Sequence, residues 1–424
     1  MRTICAYILL FLMLLPPVAT AGEEPPYPFT DPYRATVLGT PAKVRYQFAD
    51  PVLPDVRAFR IEGRQVPEVF SYSRDLFFTT ALQKHAAPLM FVIAGTGAEH
   101  NSGKMSFLTQ VFHEAGYHVV ALSSPTHMNF VVSASQHGVA GYVPYDVDDL
   151  DRVMGWIREE LAKECEITGY SVAGYSLGGL HAAFLAKRDA ETHEFDFRHV
   201  LLINPPVSLY RSVTRLDSWV TRENLGRTTV HHEIEGFIDR FSDYYLHADV
   251  TDLDDDFLYD MITDIGLTER DFKTLIGAAF RVSSASMIFS SDVCLQAEYL
   301  VPPSHYPLKT ASPLLPYARQ AFDVSFEQYL DEFLLPYLRY EDPTVTRDEV
   351  IRRSTLESIR GWLEKTTKVV VVGTRDDVIL SHGDEQFLET VFPGGRSMLF
   401  EHGGHCGNMM HPAFVRALKD MVRL

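Results

Sequence analysis

Residues 169–183 read GYSVAGYSLGGLHAA, and within them Gly174-Tyr175-Ser176-Leu177-Gly178 fits the pattern G-x-S-x-G. In that pattern a serine sits on a strained turn between a strand and a helix, its hydroxyl raised above the sheet. The glycines have a steric purpose. Strand and helix approach so closely at the turn that the positions two residues either side of the serine have no room for a side chain. The pattern is common by chance, so its neighbours must agree with it. Upstream, 167–173 is a run of small and β-branched residues that predicts a buried strand. Downstream, 180–187 predicts a helix with one apolar face. A near-copy, Gly169-Tyr170-Ser171-Val172-Ala173, lies one step earlier, but no helical pattern follows it directly. Ser171 is therefore expected inside the strand and Ser176 at the turn.

Outward from this unit the chain alternates. Residues 88–94 (PLMFVIA) form a continuous apolar run, as a strand buried on both faces does. A glycine turn, Gly95-Thr96-Gly97, follows it, and then a helical pattern over 107–115. Strands are predicted at 117–123 and 199–203, with a helix over 147–161 between the first of these and the serine unit. Alternating strand and helix builds a doubly wound, mostly parallel sheet. Ahead of it, 42–48, 56–61 and 69–79 read as short antiparallel strands, and the proline-rich 23–33 reads as an extended linker. The alternation stops between 210 and 362, where the pattern is helical and rich in aromatic residues. It resumes with Lys368–Gly373 (KVVVVG) and Met398–Phe400, and a final helix is predicted from Pro412 to Leu424. The simplest account is one sheet interrupted by a helical insertion over its C-terminal edge.

A serine hydroxyl needs an adjacent base, usually a histidine oriented by a carboxylate. The sequence offers both at predicted strand ends. Gly373-Thr374-Arg375-Asp376-Asp377 ends one strand, and Glu401-His402-Gly403-Gly404-His405-Cys406-Gly407 follows the next. With the serine turn, the acid and the histidine in the order Ser, Asp, His, the chain resembles the α/β-hydrolase family over roughly 85–209 and 363–424. The resemblance implies Ser176 as nucleophile, His405 as base and Asp376 as the orienting acid, since Asp376 fits the family's G-x-x-D pattern; Asp377 is its adjacent competitor. His405 is preferred over His402 because flanking glycines set it on a loop beyond the strand. For the oxyanion the resemblance implies the backbone N–H groups of Leu177 and of Thr96. The family's common His-Gly pair is Ala94-Gly95 here, a departure that a backbone donor tolerates.

The implied organisation is a leader at 1–21, a linker with N-terminal strands at 22–88, a first core part at 89–209, a helical cap at 210–362 and a second core part at 363–424. The leader reading rests on Arg2, the apolar run Ile4–Leu15 and the small residues Ala19-Thr20-Ala21, the marks of a cleaved export signal. The mature protein is then expected in the periplasm or outside the cell, with no stable membrane insertion. Removing the leader takes Cys5 and leaves Cys165, Cys294 and Cys406, too few for a disulfide scaffold. The absence of an Asn-x-Ser/Thr sequon fits a bacterial route.

A formal net charge of −18 argues against a nucleic-acid partner. About 26 acidic and about 15 basic residues fall within 210–362, so the imbalance concentrates there. Asp252–Asp256 lacks the glycine and terminal glutamate of a calcium loop. His231-His232 has no evident partner, and His402, His405 and Cys406 lack a fourth ligand for a metal. No cofactor is expected. The expected partner is a small-molecule acyl substrate, and the sequence is silent on oligomeric state.

The resemblance implies a serine hydrolase cleaving carboxylic esters, of esterase or lipase type. A peptidase or amidase with the same triad, an acyltransferase, and a binding protein that has lost the triad geometry are the rivals. The aromatic run Phe326, Tyr329, Leu330, Phe333, Leu334, Leu335, Tyr337 and Leu338 has the spacing of buried helix faces, so internal packing of the cap is its expected role.

Overall fold

Along strand β3 (Ala87–Ile93) the side chains part to opposite sides. Leu89, Phe91 and Ile93 enter one apolar core, and Met90, Val92 and Ala94 just beyond it enter a second. This period of two is what a strand sandwiched between helical layers requires. The computed structural model describes residues 25–221 and 265–423. The leader, His231-His232 and Asp252–Asp256 lie outside the described residues.

Among the described residues the sheet has eight strands, in the order β1-β2-β4-β3-β5-β6-β7-β8. They are β1 (Asp55–Phe59), β2 (Leu76–Ala81), β3, β4 (His118–Leu122), β5 (Ile167–Tyr175), β6 (Val200–Ile203), β7 (Val369–Thr374) and β8 (Ser397–Phe400). The pairs β1–β2 and β2–β4 are antiparallel, and every other neighbour is parallel. Ser171 lies inside β5, opposite Met90. Three expectations fail, wholly or in part, near the start of the chain. Of 69–79 only Leu76 onward is strand, since Glu68–Ser73 forms a 3-10 helix. Residues 42–48 form no strand; Ala42–Val44 is a single 3-10 turn, and Tyr46 N–H donates to the Met410 carbonyl at 2.8 Å. The expected linker is docked from Pro25 onward and contains helix α1 (Pro32–Leu38), capped by Asp31 with Pro32 at its first position.

Helix α2 (Gly103–Glu114) puts Met105, Leu108, Val111 and Phe112 into the second core. After the short α3 (Met128–Ser133), helix α4 (Val143–Leu161) buries Val143, Val147, Leu150, Val153, Met154, Ile157 and Leu161 in the first core. Those positions recur at three and four residues, one stripe of an α-helix. Helix α5 (Leu177–Thr192) follows the serine turn directly.

A helical cap enters between β6 and β7, ahead of the strand that carries the two aspartates. Among the described residues it includes α6 (Leu209–Ser218), α7 (Glu269–Leu295), α8 (Leu315–Asp323), α9 (Phe326–Tyr329), α10 (Leu335–Glu341) and α11 (Arg347–Arg353). A π turn at Leu330–Leu334 joins α9 to α10. Helix α7 begins with a reciprocal capping box, Thr268 and Asp271. Asp217 ties the cap together: it is paired with buried Arg281 of α7 and accepts the Phe326 N–H at 2.6 Å. The Tyr329 and Tyr337 hydroxyls donate to the carbonyls of Ala140 and His137, both at 2.9 Å, which fastens the cap to the core. Helices α12 (Asp384–Val391) and α13 (Pro412–Met421) complete the second half of the sheet. Cys165, Cys294 and Cys406 are free thiols. Among the described residues no helix is long and apolar enough to cross a membrane.

Candidate active site

Strand β5 ends at Tyr175 and α5 starts at Leu177, so the whole reversal falls on Ser176, with φ 53° and ψ −126°. Positive φ at a residue with a side chain is strained and must be held by its surroundings. The flanking glycines make it feasible. A Cβ on Gly174 would stand 2.1 Å from the Gly178 carbonyl oxygen, and one on Gly178 would stand 2.2 Å from the Ile93 oxygen. Strand, turn and helix are therefore in backbone contact, and Ser176 is pushed up at the C-terminal edge of the sheet.

Ser176 Oγ lies 2.9 Å from His405 Nε2. On the other side of the ring, His405 Nδ1 lies 3.0 Å from both carboxylate oxygens of Asp377. The acid against the histidine is thus Asp377, not the expected Asp376. The two carboxylates diverge because successive residues of the turn after β7 face different ways. Asp377 turns inward, where it is buried and accepts from Asn204 Nδ2 at 2.8 Å and from the Ile379 N–H at 3.1 Å. Asp376 turns behind the histidine loop and accepts the N–H groups of Gly403 at 3.2 Å and Gly404 at 2.8 Å. Burial raises the Asp376 carboxyl above its ordinary value, and those two N–H groups oppose the rise. His402 sits on the outer side, 3.5 Å from Asp376.

The histidine loop is braced from the far end of the chain. Its His405 N–H donates to Thr36 Oγ1 of α1 at 2.8 Å, and Thr40 Oγ1 donates to the Gly407 carbonyl at 2.8 Å. Gly404 and Gly407 rest directly on that helix; a Cβ on either would come within 2.1 Å of the Pro32 or Ala35 carbonyl oxygen. Thr374, the last residue of β7, donates its hydroxyl to the Gly404 carbonyl at 2.5 Å. Asn204 and Cys406 share positive φ with Ser176, so backbone strain gathers around these three side chains. Burial raises the Cys406 thiol to about 12, which makes it inert.

Above Ser176 and His405 opens a cavity of about 260 Å³. Leu177 and Thr96 line it, and among the described residues neither backbone N–H has a protein partner. The Thr96 turn is pressed against the serine: a Cβ on Gly95 would stand 3.1 Å from Ser176 Cβ. It is also held from behind, since Gly97 N–H donates to Thr126 Oγ1 at 2.8 Å. The cavity walls come from α6 (Leu209, Val213, Leu216) and α7 (Ile276, Ala279, Phe280), with Ile379 after β7. None of the aromatic run 326–338 reaches it. Phe326, Tyr329, Leu330, Phe333, Leu334, Leu335 and Leu338 pack in the first core, with Tyr337 partly buried against it.

The structure thus brings Ser176, His405, Leu177 and Thr96 to one cavity and sets Asp376 aside. The sequence gives no signal for Asn204, Thr36 or Thr126, since polar residues of this kind at strand and helix ends are ordinary. Asp377 was within reach as the neighbour of Asp376.

A serine aligned with an imidazole and a buried carboxylate can take up an acyl group, and comparison with known proteins bears on the fold that holds it. No curated protein matches the chain. Among solved structures, a serine hydrolase from the polyaromatic hydrocarbon-degrading bacterium Cycloclasticus zankles is 14% identical, with a TM-score of 0.41, over 87% of this chain and 97% of that one. A bacterial membrane phospholipase A described as a virulence factor is 13% identical, TM-score 0.40, over 87% and 85%. Est1E from Butyrivibrio proteoclasticus is 12% identical, TM-score 0.38, over 87% and 97%. At these scores the likenesses support nothing about reaction or substrate. The model of the alpha/beta hydrolase family matches residues 90–418, most of the chain, and the chain belongs to that family.

Proposed function

We propose that the protein is a carboxylic-ester hydrolase acting through an acyl-enzyme on Ser176. One observation carries the reading: the chain Ser176 Oγ to His405 Nε2 at 2.9 Å and His405 Nδ1 to Asp377 at 3.0 Å, opening onto an otherwise largely apolar cavity. With Nδ1–H donated to Asp377, Nε2 is left as an acceptor for the Ser176 proton. As Oγ attacks the ester carbonyl, that proton passes to Nε2 and the carbonyl electron pair moves onto oxygen. The Leu177 and Thr96 N–H groups are the donors for this oxyanion. Collapse expels the alcohol, which takes the proton from Nε2. Water then attacks the acyl-enzyme with His405 as base and releases the acid and Ser176.

The apolar walls suit the hydrocarbon part of an acyl or alcohol group, and the cavity volume suits a small or medium one. The leader pattern of residues 1–21 supports export of this activity to the periplasm or the outside of the cell, with cleavage before Gly22. The test is a matched pair, phenyl hexanoate and hexanoic anilide, with purified residues 22–424. Turnover of the ester at a kcat/KM at least about a hundredfold above the anilide is expected. Preference for the anilide would assign an amidase, and inactivity on both, with Ser176 unreactive, would refute the catalytic reading.

A further inference from the structure

Among the described residues the cavity over Ser176 is lined by one charged side chain, and it is a cation. Lys104 lines it together with Thr96, Tyr175, Ser176 and His405, and among the described residues no aspartate or glutamate lines it. Among the described residues no carboxylate pairs with Lys104 Nζ; Lys163, Lys187, Lys273, Lys309 and Lys419 each hold one, and of the lysines without one, Lys84, Lys104, Lys365 and Lys368, Lys104 alone lines this cavity. The ammonium of half-buried Lys104 lies 5.9 Å from the centre of the Tyr175 ring, which places it beside the elbow. Its field reaches the Cys406 thiol, next to His405, and acts to lower it.

The position is an unfavourable one for a cation. Lys104 stands in the first turn of α2, where the aligned peptide dipoles are positive, and no acidic residue shares that turn. In a chain of net charge −18 acids are plentiful, yet none of the described ones answers this lysine.

The geometry points to an anion subsite built on Lys104 within the catalytic cavity, taking substrates that carry a carboxylate or phosphate within a side chain's reach of the scissile ester. The inference rests on the ester-hydrolase reading and narrows it to anionic esters. The apolar walls hold the hydrocarbon part while the ammonium holds the charge. An ion pair shielded by those walls is screened less than one at the surface, and it rejects the uncharged analogue because the ammonium is then left desolvated without a partner.

The experiment compares phenyl hexanoate with two charged relatives, phenyl hydrogen adipate (charge on the acyl side) and 4-carboxyphenyl hexanoate (charge on the alcohol side). Wild type, Lys104→Met and Lys104→Arg are assayed, and the readout is the ratio of kcat/KM for charged to neutral ester. We expect one charged ester to exceed the neutral one about tenfold or more in wild type, the gain lying in KM. We expect that ratio to fall about tenfold in Lys104→Met, to be largely restored in Lys104→Arg, and to shrink with added salt. The ester that gains tells which side the anion occupies. A ratio unchanged by Lys104→Met, or no preference in a wild type that does cleave phenyl hexanoate, overturns the subsite. Equal losses on all three esters overturn it too, by giving Lys104 a general part in the reaction. A wild type that cleaves none of the three overturns the ester-hydrolase reading itself, a result distinct from the others.

Discussion

Changing Asp377 to asparagine alters the atoms around His405 very little but reverses one hydrogen bond. Asn204 Nδ2 and the Ile379 N–H hold different oxygens of the carboxylate, at 2.8 and 3.1 Å, so the amide oxygen keeps one of these donors and the NH2 replaces the oxygen that accepted the other. The amide NH2 then faces Nδ1, 3.0 Å away, and makes it an acceptor. The imidazole proton moves to Nε2, so the ring presents a donor to Ser176 Oγ and cannot take its proton. This tautomer error costs about 10⁴ in kcat in a serine protease triad, or about 5 kcal/mol at 1.36 kcal/mol per decade. Asp376 makes a different contrast. Its carboxylate accepts two N–H groups, from Gly403 and Gly404, and an asparagine oxygen keeps at least one. The loss of the other is about 1 kcal/mol, so Asp376→Asn is expected to lower kcat about fivefold at most. Initial rates on phenyl hexanoate for both variants, with thermal unfolding to confirm the fold, measure the two effects. Equal losses, or an Asp377→Asn enzyme within tenfold of wild type, would refute the assignment of Asp377.

The same geometry yields three further expectations. Thr36→Val leaves the His405 N–H without its acceptor, a cost of about 1–3 kcal/mol; kcat should fall about tenfold with KM little changed, and Thr36→Ser should recover most of it. Gly174→Ala puts a Cβ 2.1 Å from a backbone oxygen that no rotamer change can relieve, so unfolding should show a loss of about 3 kcal/mol or more, and an unchanged midpoint would contradict the packing. Burial lowers the His100 pKa, while an unfolded histidine titrates near about 6.5. Its stabilising contribution is therefore complete above that value and is lost as pH falls toward the folded pKa, at up to about 1.4 kcal/mol per pH unit. Urea unfolding of His100→Gln should show a shallower fall in stability between about pH 6.5 and 5.5 than wild type; an equal or steeper fall would count against a neutral buried ring.

Much of this architecture is legible in the sequence because its signals are local. The run over β3 is apolar on both faces, and the G-x-S-x-G turn is enforced by backbone contact between Gly174, Gly178 and Ile93. Strand β7 announces where an acid must stand. Which acid serves is not local: Asp376 and Asp377 differ only in the direction the turn gives them, and Asn204, on another strand, receives one of them. The N-terminal segment misleads for a related reason. Proline-rich sequence reads as linker, yet Pro32 opens a helix whose value lies in contacts with Gly404, His405 and Gly407 at the other end of the chain. The cap's aromatic run advertises burial without saying against what; it packs in the first core, while the less conspicuous α6 and α7 line the cavity.

The whole mechanism stands on Ser176 being an activated nucleophile. Labelling the mature protein with a fluorophosphonate, followed by intact mass and peptide mapping, tests it most directly, with Ser176→Ala as the control. A single adduct on Ser176, absent from the variant, is the predicted result. A folded wild type that stays unlabelled with and without detergent, or an adduct elsewhere that persists in Ser176→Ala, would contradict it.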